Sequence, residues 1–486
     1  MININNNSNW LEQRTLQSPD SIAIRKSRSA ITYLELSKKV KDTASNFRSI
    51  GILPDNHVAL AIDNNEQFII NVLSLWMIGA IPVPLNTRLT TSEIEKLYSL
   101  SDSSFLIAED SWSIDHKLSN NINVVSSELD NTPNDNLSQF EFNVTNTALI
   151  MFTSGSTGEP KGVMLSFDNL YHSAMSTDSL IDQTYHDRWL ASLPFYHIGG
   201  FSIITRALFA GAEIILPESL KPNDIANSIA KHKPTLASLV PTQLDALIEQ
   251  MDKPNPEMRT IFLGGGPIDK NLARKAINKN WPIVKVYGST ETCSMIAAAS
   301  FDDLRTNPAI GAKPMTGNKI VILDIEGELL EQNKKGEVAI ASKSLMKGYY
   351  NNDSATKEKF HDEYYLASDY GYINDEGRLN IEGRIDDIII SGGENINPKE
   401  IEKALLKHPE VNEVVVLKSK DEKWGEVPVA VVVLNNPITK IHLWNFLSQH
   451  LSSFKVPKEI FILNEIPKNE MGKVNKKLLM EKLNIK

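Results

Sequence analysis

A chain of 486 residues is longer than one hydrophobic core usually organises, and its 41% hydrophobic content supplies apolar material for two or more domains. The net charge of -10 is dispersed among interspersed acids and bases rather than gathered in blocks, which argues against a nucleic-acid surface. The single cysteine, Cys293, excludes an intramolecular disulfide and a multi-cysteine zinc site, and suits a reducing, cytoplasmic setting.

Met1 to Trp10 is rich in asparagine and lacks both a basic region and an apolar run, so it reads as a frayed end rather than a secretory signal. Phe68 to Ala80 is apolar, but it is too short and too interrupted by Asn71, Ser74 and Gly79 to span a bilayer. A buried helix is expected there, and no stable membrane association. From Ile31 to Pro314 short apolar runs alternate with helical stretches: His57 to Ile62, Ala148 to Phe152, Trp189 to Leu193, Ala212 to Leu216, Thr235 to Val240, Thr260 to Leu263 and Ile283 to Tyr287. That rhythm predicts βαβ units and largely parallel sheets. His116 to Thr147, rich in Asn, Asp and Ser, reads as a surface connection without chemistry.

After Pro314 the pattern changes to strands joined at Glu326-Gly327 and Asp375-Glu376-Gly377, which predicts a small antiparallel meander ending near Glu382. Beyond a boundary at Gly383 to Asp387, Asn397-Pro398-Lys399-Glu400 is a helix-start pattern, with Asn as cap and Pro in the first turn. A helix to Lys407, β runs at Glu413 to Leu417 and Val427 to Leu434, a helix near Ile441 to Leu451 and a strand at Glu459 to Leu463 follow. The prediction is an α/β chain: a large N-terminal domain (residues 1–385) of mostly parallel, helix-flanked sheets plus a small antiparallel subdomain, then a small α+β C-terminal domain (residues 386–486).

The strongest local signal is Thr153-Ser154-Gly155-Ser156-Thr157-Gly158-Glu159-Pro160-Lys161-Gly162, directly after the predicted strand Ala148 to Phe152. Its hydroxyls and glycines let backbone N–H and side-chain O–H groups wrap phosphate oxygens, and Lys161 adds a cation. The order G-x-x-x-x-G-K-[ST] is absent, and Val163 to Phe167 reads as a strand rather than a helix, which disfavours a Walker-type site.

This loop resembles the signature of the adenylate-forming superfamily, which contains acyl- and aryl-CoA ligases, adenylation domains of peptide synthetases and luciferases. Other stretches match in order from near Tyr33 to Lys473, so the resemblance covers nearly the whole chain. It implies an enzyme that uses ATP, Mg²⁺ and, as co-substrate, coenzyme A. Tyr287-Gly288-Ser289-Thr290-Glu291-Thr292 is similar to the family's nucleotide motif: Tyr287 packs near adenine, Thr290 meets phosphate and Glu291 holds Mg²⁺, the cation that lets a carboxylate approach triphosphate. Gly264-Gly265-Gly266-Pro267 resembles the adenine-flanking loop. Asp369 stands where the family's aspartate binds both ribose hydroxyls, preceded by Ser368 where many relatives have Gly, and Arg384 resembles the arginine that supports this contact. Asp386 matches the hinge about which a mobile C-terminal domain swings, although an exposed turn aspartate would look the same. Gly392 and Gly393, in Ser391 to Ile396, resemble the strip lining the pantetheine tunnel. Lys473 aligns with the near-terminal lysine that bridges carboxylate and α-phosphate.

His197 corresponds to a histidine lining the acyl pocket. Arg206 is the only charge from Ile198 to Ala212, in a run that reads as an apolar helix, so it requires a carboxylate either from the protein or from the substrate. Within the superfamily the likeness is strongest to the ligases of o-succinylbenzoate in menaquinone biosynthesis, through Tyr287 to Cys293, the Gly264 to Pro267 loop and the basic residue at Arg206. That acid has two carboxylates; one is activated and the other needs a cation. Fatty-acid and simple aryl-acid ligases stand as alternatives, with an adenylating partner of a carrier protein or a non-enzymatic nucleotide-binding protein more distant. The sequence leaves homo-oligomerisation open.

Overall fold

The computed structural model describes residues 8–115, 118–128, 142–154, 159–266, 268, 270–324, 326–384, 389–396, 398–467, 474 and 476–485. The chain divides into two compact units. The first comprises Met1–Thr87, Tyr98–Phe152 and Gly162–Gly383; the second comprises Arg88–Leu97, Thr153–Lys161 and Arg384–Lys486.

Unit one is built on a nine-stranded sheet whose centre is parallel: Glu213–Ile215, Arg188–Leu190, Leu236–Leu239, Thr260–Leu263 and Ile283–Ser289 lie side by side in hydrogen-bonded order. Successive strand residues point to opposite faces, and here they enter two different cores. Trp189, Ile214, Leu236, Phe262 and Val284 pack with helices Tyr33–Ser49, Glu66–Ile78, Phe167–Ile181 and Ile198–Ala210. Their neighbours Leu190, Ile215, Ala237, Ile261 and Ile283 pack with helices Pro222–His232, Pro241–Gln250 and Lys270–Asn278. Near-continuous apolar runs are what a sheet covered on both faces requires. A second sheet of His57–Ala61, Ile81–Pro84, Phe105–Ala108 and Val124–Ser126 is parallel throughout. The predicted meander is an antiparallel five-stranded sheet that includes Asn318–Leu323, Gly336–Ser342 and Tyr364–Ile373.

Local sequence fixes where the helices begin and stop. Thr32 and Glu35 form a reciprocal capping box for Tyr33–Ser49, and Ser166 with Asn169 does the same for Phe167–Ile181. Gly79 and Gly211 end their helices in the left-handed conformation at φ 78° and 70°.

Unit two contains a sheet of Glu394–Ile396, Ile389–Ser391, Gly425–Leu434 and Val411–Asp421, with Glu459–Leu463 parallel to Gly425–Leu434. Alternation again splits the strands: Val416, Ala430 and Val432 meet helix residues Ile401, Leu405, Leu443 and Leu447, whereas Val415, Val431 and Val433 meet Leu479.

Several expectations need correction. Trp10 is not frayed; it opens helix Trp10–Gln17, is 3% exposed, and packs edge-on against Trp76 and Phe167 and tilted on Phe209. A large aromatic offers enough apolar area to hold a chain end in place. The Asn-rich connection contains strand Val124–Ser126, recruited by the edge of the parallel sheet. The strand after the predicted phosphate loop is Pro160–Ser166, and Phe167 begins the following helix. Helix Pro398–Leu405 stops short of Lys407, and the cap expected of Asn397 lies outside the described residues.

Candidate active site

In a doubly wound sheet, ligands bind beyond the carboxyl ends of the parallel strands. Four predicted segments leave that edge of unit one. Arg188–Leu190 runs on toward His197, Leu236–Leu239 ends at Val240, Thr260–Leu263 runs into Gly264-Gly265-Gly266, and Ile283–Ser289 carries Tyr287 and Gly288 into Thr290 and Glu291.

The turn after Tyr287 is held by Thr292, whose hydroxyl accepts from Ser289 N–H at 2.7 Å and lies 2.8 Å from the Ser294 carbonyl. Cys293 N–H donates to the Thr290 carbonyl at 3.0 Å, and Cys293 and Ser294 adopt positive φ of 53° and 89°. The chain therefore reverses so tightly that a Cβ at Gly288 would lie 1.8 Å from the Ser294 carbonyl oxygen. Only glycine fits. Gly265 sits at φ 75°, and a Cβ at Gly264 would meet Val286 at 2.7 Å, so the glycine loop lies against the strand that delivers Tyr287.

Tyr287 and Asp369, far apart in sequence, meet directly: the phenol donates to Asp369 Oδ2 at 2.6 Å. Ser368 before it has φ 57°, a conformation that glycine adopts without strain. Here Ser368 N–H bonds Glu337 Oε1 at 3.2 Å and its hydroxyl bonds Lys359. Glu291 is half-buried; Tyr349 donates to its Oε1 at 2.9 Å, and Met346 N–H donates to its carbonyl at 2.8 Å. Among the described residues no group of three or more His, Cys, Asp or Glu is placed to hold a metal. A single carboxylate with an oxygen left over suits Mg²⁺, which is commonly bound by one or two carboxylates together with substrate phosphates.

His197 occupies the N-cap position of helix Ile198–Ala210, is half-buried and makes no side-chain capping bond. The loop before it is fixed by Asn64, which donates to the Leu193 carbonyl at 2.6 Å and accepts from Phe195 N–H at 2.8 Å. Arg206, on the same helix, is 1% exposed. One Nη donates to Ser294 Oγ at 3.1 Å, the guanidinium lies 5.8 Å from the Trp189 ring, and Nε has no partner among the described residues. Burial pulls its pKa down to about 10, so it stays cationic at neutral pH. No carboxylate among the described residues pairs with it, and of the two readings open to the sequence the protein acid is absent there. Burial likewise pushes the neighbouring Cys293 thiol up to about 12, leaving it inert.

In unit two, Thr153 and Ser154 close strand Thr147–Ser154 and Lys161 lies on strand Pro160–Ser166. Glu159 pairs with Lys96 at 2.6 Å and Lys403 at 3.3 Å, and the Lys96 hydrogen bond leads the effects that hold its carboxyl below its usual range. Gly392 and Gly393 form a left-handed turn at φ 56° and 85°, and a Cβ at Gly392 would lie 2.7 Å from the Trp424 ring. Arg384 ends strand Leu379–Arg384. Gly155, Ser156, Thr157, Gly158, Asp386 and Lys473 lie outside the described residues. Sequence reasoning missed Tyr349; the signal open to it was a Gly-Tyr pair after an apolar strand.

The class follows from these observations. Residues 11–350 match the AMP-binding enzyme family and residues 400–473 match the AMP-binding enzyme C-terminal domain, so the chain belongs to the AMP-binding enzymes and has the adenylate-forming fold. Among its relatives, the 2-succinylbenzoate–CoA ligase of Bacillus licheniformis is 33% identical over 468 residues, covering 96% of this chain and 98% of that protein. The structure of a double mutant of o-succinylbenzoate CoA synthetase from Bacillus subtilis, bound with its product analogue OSB-NCoA, has a TM-score of 0.91 at 32% identity, covering 97% of this chain and 98% of that one. The Bacillus subtilis synthetase in complex with ATP and magnesium ion has a TM-score of 0.76, also at 32% identity, covering 97% of this chain and 99% of that one.

Proposed function

We propose that this chain is an ATP-dependent acid–CoA ligase that converts o-succinylbenzoate, ATP and CoA to o-succinylbenzoyl-CoA, AMP and pyrophosphate through an acyl-AMP. The observation that carries the choice of acid is Arg206, a buried cation without a protein carboxylate among the described residues. Full-length similarity to ligases named for o-succinylbenzoate supports the same choice. The menaquinone assignment travels with the substrate.

In the first half-reaction a carboxylate oxygen attacks the α-phosphorus and the bond to pyrophosphate breaks. Thr153, Ser154, Gly155, Ser156, Thr157, Gly158 and Lys161 cradle the leaving phosphates, Gly265, Gly266, Tyr287 and Gly288 border the adenine, and Asp369 with Arg384 holds the ribose. Lys473 and Thr290 balance charge at the α-phosphate. Glu291 would hold Mg²⁺, which when bound would supply charge neutralisation at the triphosphate. Arg206 holds the second carboxylate and His197 borders the acyl group. In the second half-reaction the C-terminal domain, residues 386–486, turns about Asp386; the CoA thiolate passes Gly392 and Gly393, attacks the acyl carbon, and AMP leaves.

No helix among the described residues is long and apolar enough to cross a membrane. The test is thioester formation by purified protein with MgATP and CoA across o-succinylbenzoate, benzoate and octanoate. Preference for o-succinylbenzoate is expected; preference for either other acid keeps the ligase and discards this substrate.

A further inference from the structure

The segment Met346–Tyr350 bonds in two directions. Toward the nucleotide motif, Met346 N–H donates to the Glu291 carbonyl at 2.8 Å and the Tyr349 hydroxyl donates to Glu291 Oε1 at 2.9 Å. Toward strand Pro160–Ser166, Lys347 N–H donates to the Met164 carbonyl at 2.9 Å, Gly348 and Tyr349 pair with Met164 and Val163, and Tyr350 N–H donates to the Gly162 carbonyl at 2.7 Å. One short segment thus ties the Glu291 carboxylate to the strand that leaves the phosphate loop. The tie is buried, since Tyr349 is 2% exposed and Tyr365 behind it 3%. Tyr349 and Tyr365 are joined by a hydrogen bond, and because Tyr349 gives its one proton to Glu291, it accepts from Tyr365. Tyr365 lies on strand Tyr364–Ile373, which also presents Asp369 to Tyr287.

A glutamate side chain has three torsions, and Mg²⁺ demands near-ideal octahedral geometry, so a free carboxylate would have to be ordered each time the ion binds. A phenol on one oxygen fixes the rotamer and leaves the other oxygen for the cation. We propose that Tyr349, backed by Tyr365, is the positioning residue for the Glu291 carboxylate, and that Met346–Tyr350 is a staple holding it in register with the phosphate strand. The proposal rests on Glu291 being the Mg²⁺ carboxylate.

The experiment is calorimetric titration of ATP into wild type, Tyr349→Phe, Glu291→Gln and the double variant over a range of Mg²⁺ concentrations, with the unliganded Tm of each. A hydrogen bond to a charged group implies that Tyr349→Phe needs about tenfold more Mg²⁺ for half-maximal ATP binding. Glu291→Gln should lose most of the Mg²⁺ dependence, and the double variant should match Glu291→Gln alone. If Glu291→Gln shifts the Mg²⁺ dependence and a folded Tyr349→Phe does not, the staple is packing only and the proposal falls while the site reading stands. If Glu291→Gln leaves Mg²⁺ dependence intact, the site reading falls and takes the proposal with it. Should Tyr349→Phe fail to fold, Tyr365→Phe leaves the Tyr349–Glu291 bond in place and is expected to raise the Mg²⁺ requirement by about twofold to threefold; no change overturns the proposal.

Discussion

Replacing Arg206 by Met keeps an unbranched side chain in helix Ile198–Ala210 and removes the charge. Two consequences with opposite signs follow from its surroundings. The guanidinium is 1% exposed and, among the described residues, has one hydrogen bond, to Ser294, and an unpartnered Nε. Losing that bond costs about 1 kcal/mol, whereas relief of a buried charge is worth about 1–4 kcal/mol, so the unliganded Tm should hold or rise by a few degrees. With substrate the balance reverses, because removing one partner of a buried charge pair costs about 2–5 kcal/mol, or roughly 30-fold to several-thousand-fold in kcat/KM. The assay compares o-succinylbenzoate with the analogue lacking its second carboxylate. Wild type should favour o-succinylbenzoate strongly and Arg206→Met should erase the difference, chiefly by losing o-succinylbenzoate. Equal losses for both acids together with a fall in Tm would mean that the guanidinium serves the fold, and the reasoning would be wrong.

Gly288→Ala should destabilise by about 1–3 kcal/mol and abolish measurable ATP binding, because its Cβ would lie 1.8 Å from the Ser294 carbonyl; an unchanged Tm and ATP affinity would show that the turn relaxes freely. Asp303, bonded by Arg378 at 2.6 Å, has its carboxyl held down to about 2, first by that hydrogen bond. A folded pKa below the unfolded value of about 3.9 gives stability that is fully present above pH ~4 and lost as pH falls through about 2. Arg378→Ala should therefore lower stability at pH 6 by up to about 1 kcal/mol after solvent screening and converge with wild type near pH 2, followed by circular dichroism; parallel curves throughout would refute the pairing. Lys473→Ala should slow acyl-AMP formation far more than thioester formation from supplied acyl-AMP, and equal losses in rapid-quench assays of the two steps would remove its assigned role.

The sequence reading went furthest where one local signal coincided with one structural cause. Strands Thr260–Leu263 and Glu459–Leu463 have the predicted limits because turn residues bound a compact apolar run in each. The hairpin Val411–Asp421 with Gly425–Leu434 extends well past its apolar centre, since pairing of Lys420 with Glu426 is carried by the backbone ladder and leaves no hydrophobic trace. Trp10 and Val124 were misread because their places are set by partners distant in sequence. The residues assigned to the nucleotide were read as separate motifs, and the structure brings two of them, Tyr287 and Asp369, into direct contact. The Gly-Tyr pair at Tyr349 was open to the sequence, but its bond to Glu291, 58 residues away, was not.

The central claim is a carboxylate activated as acyl-AMP before thioester formation. It is tested most directly by single-turnover reaction with o-succinylbenzoate carrying ¹⁸O in its carboxylates, followed by mass spectrometry of AMP and pyrophosphate. One ¹⁸O in AMP and none in pyrophosphate is predicted, because the attacking carboxylate oxygen stays on the α-phosphorus when CoA takes the acyl group. Thioester formation with unlabelled AMP, or no AMP at all, would contradict the account.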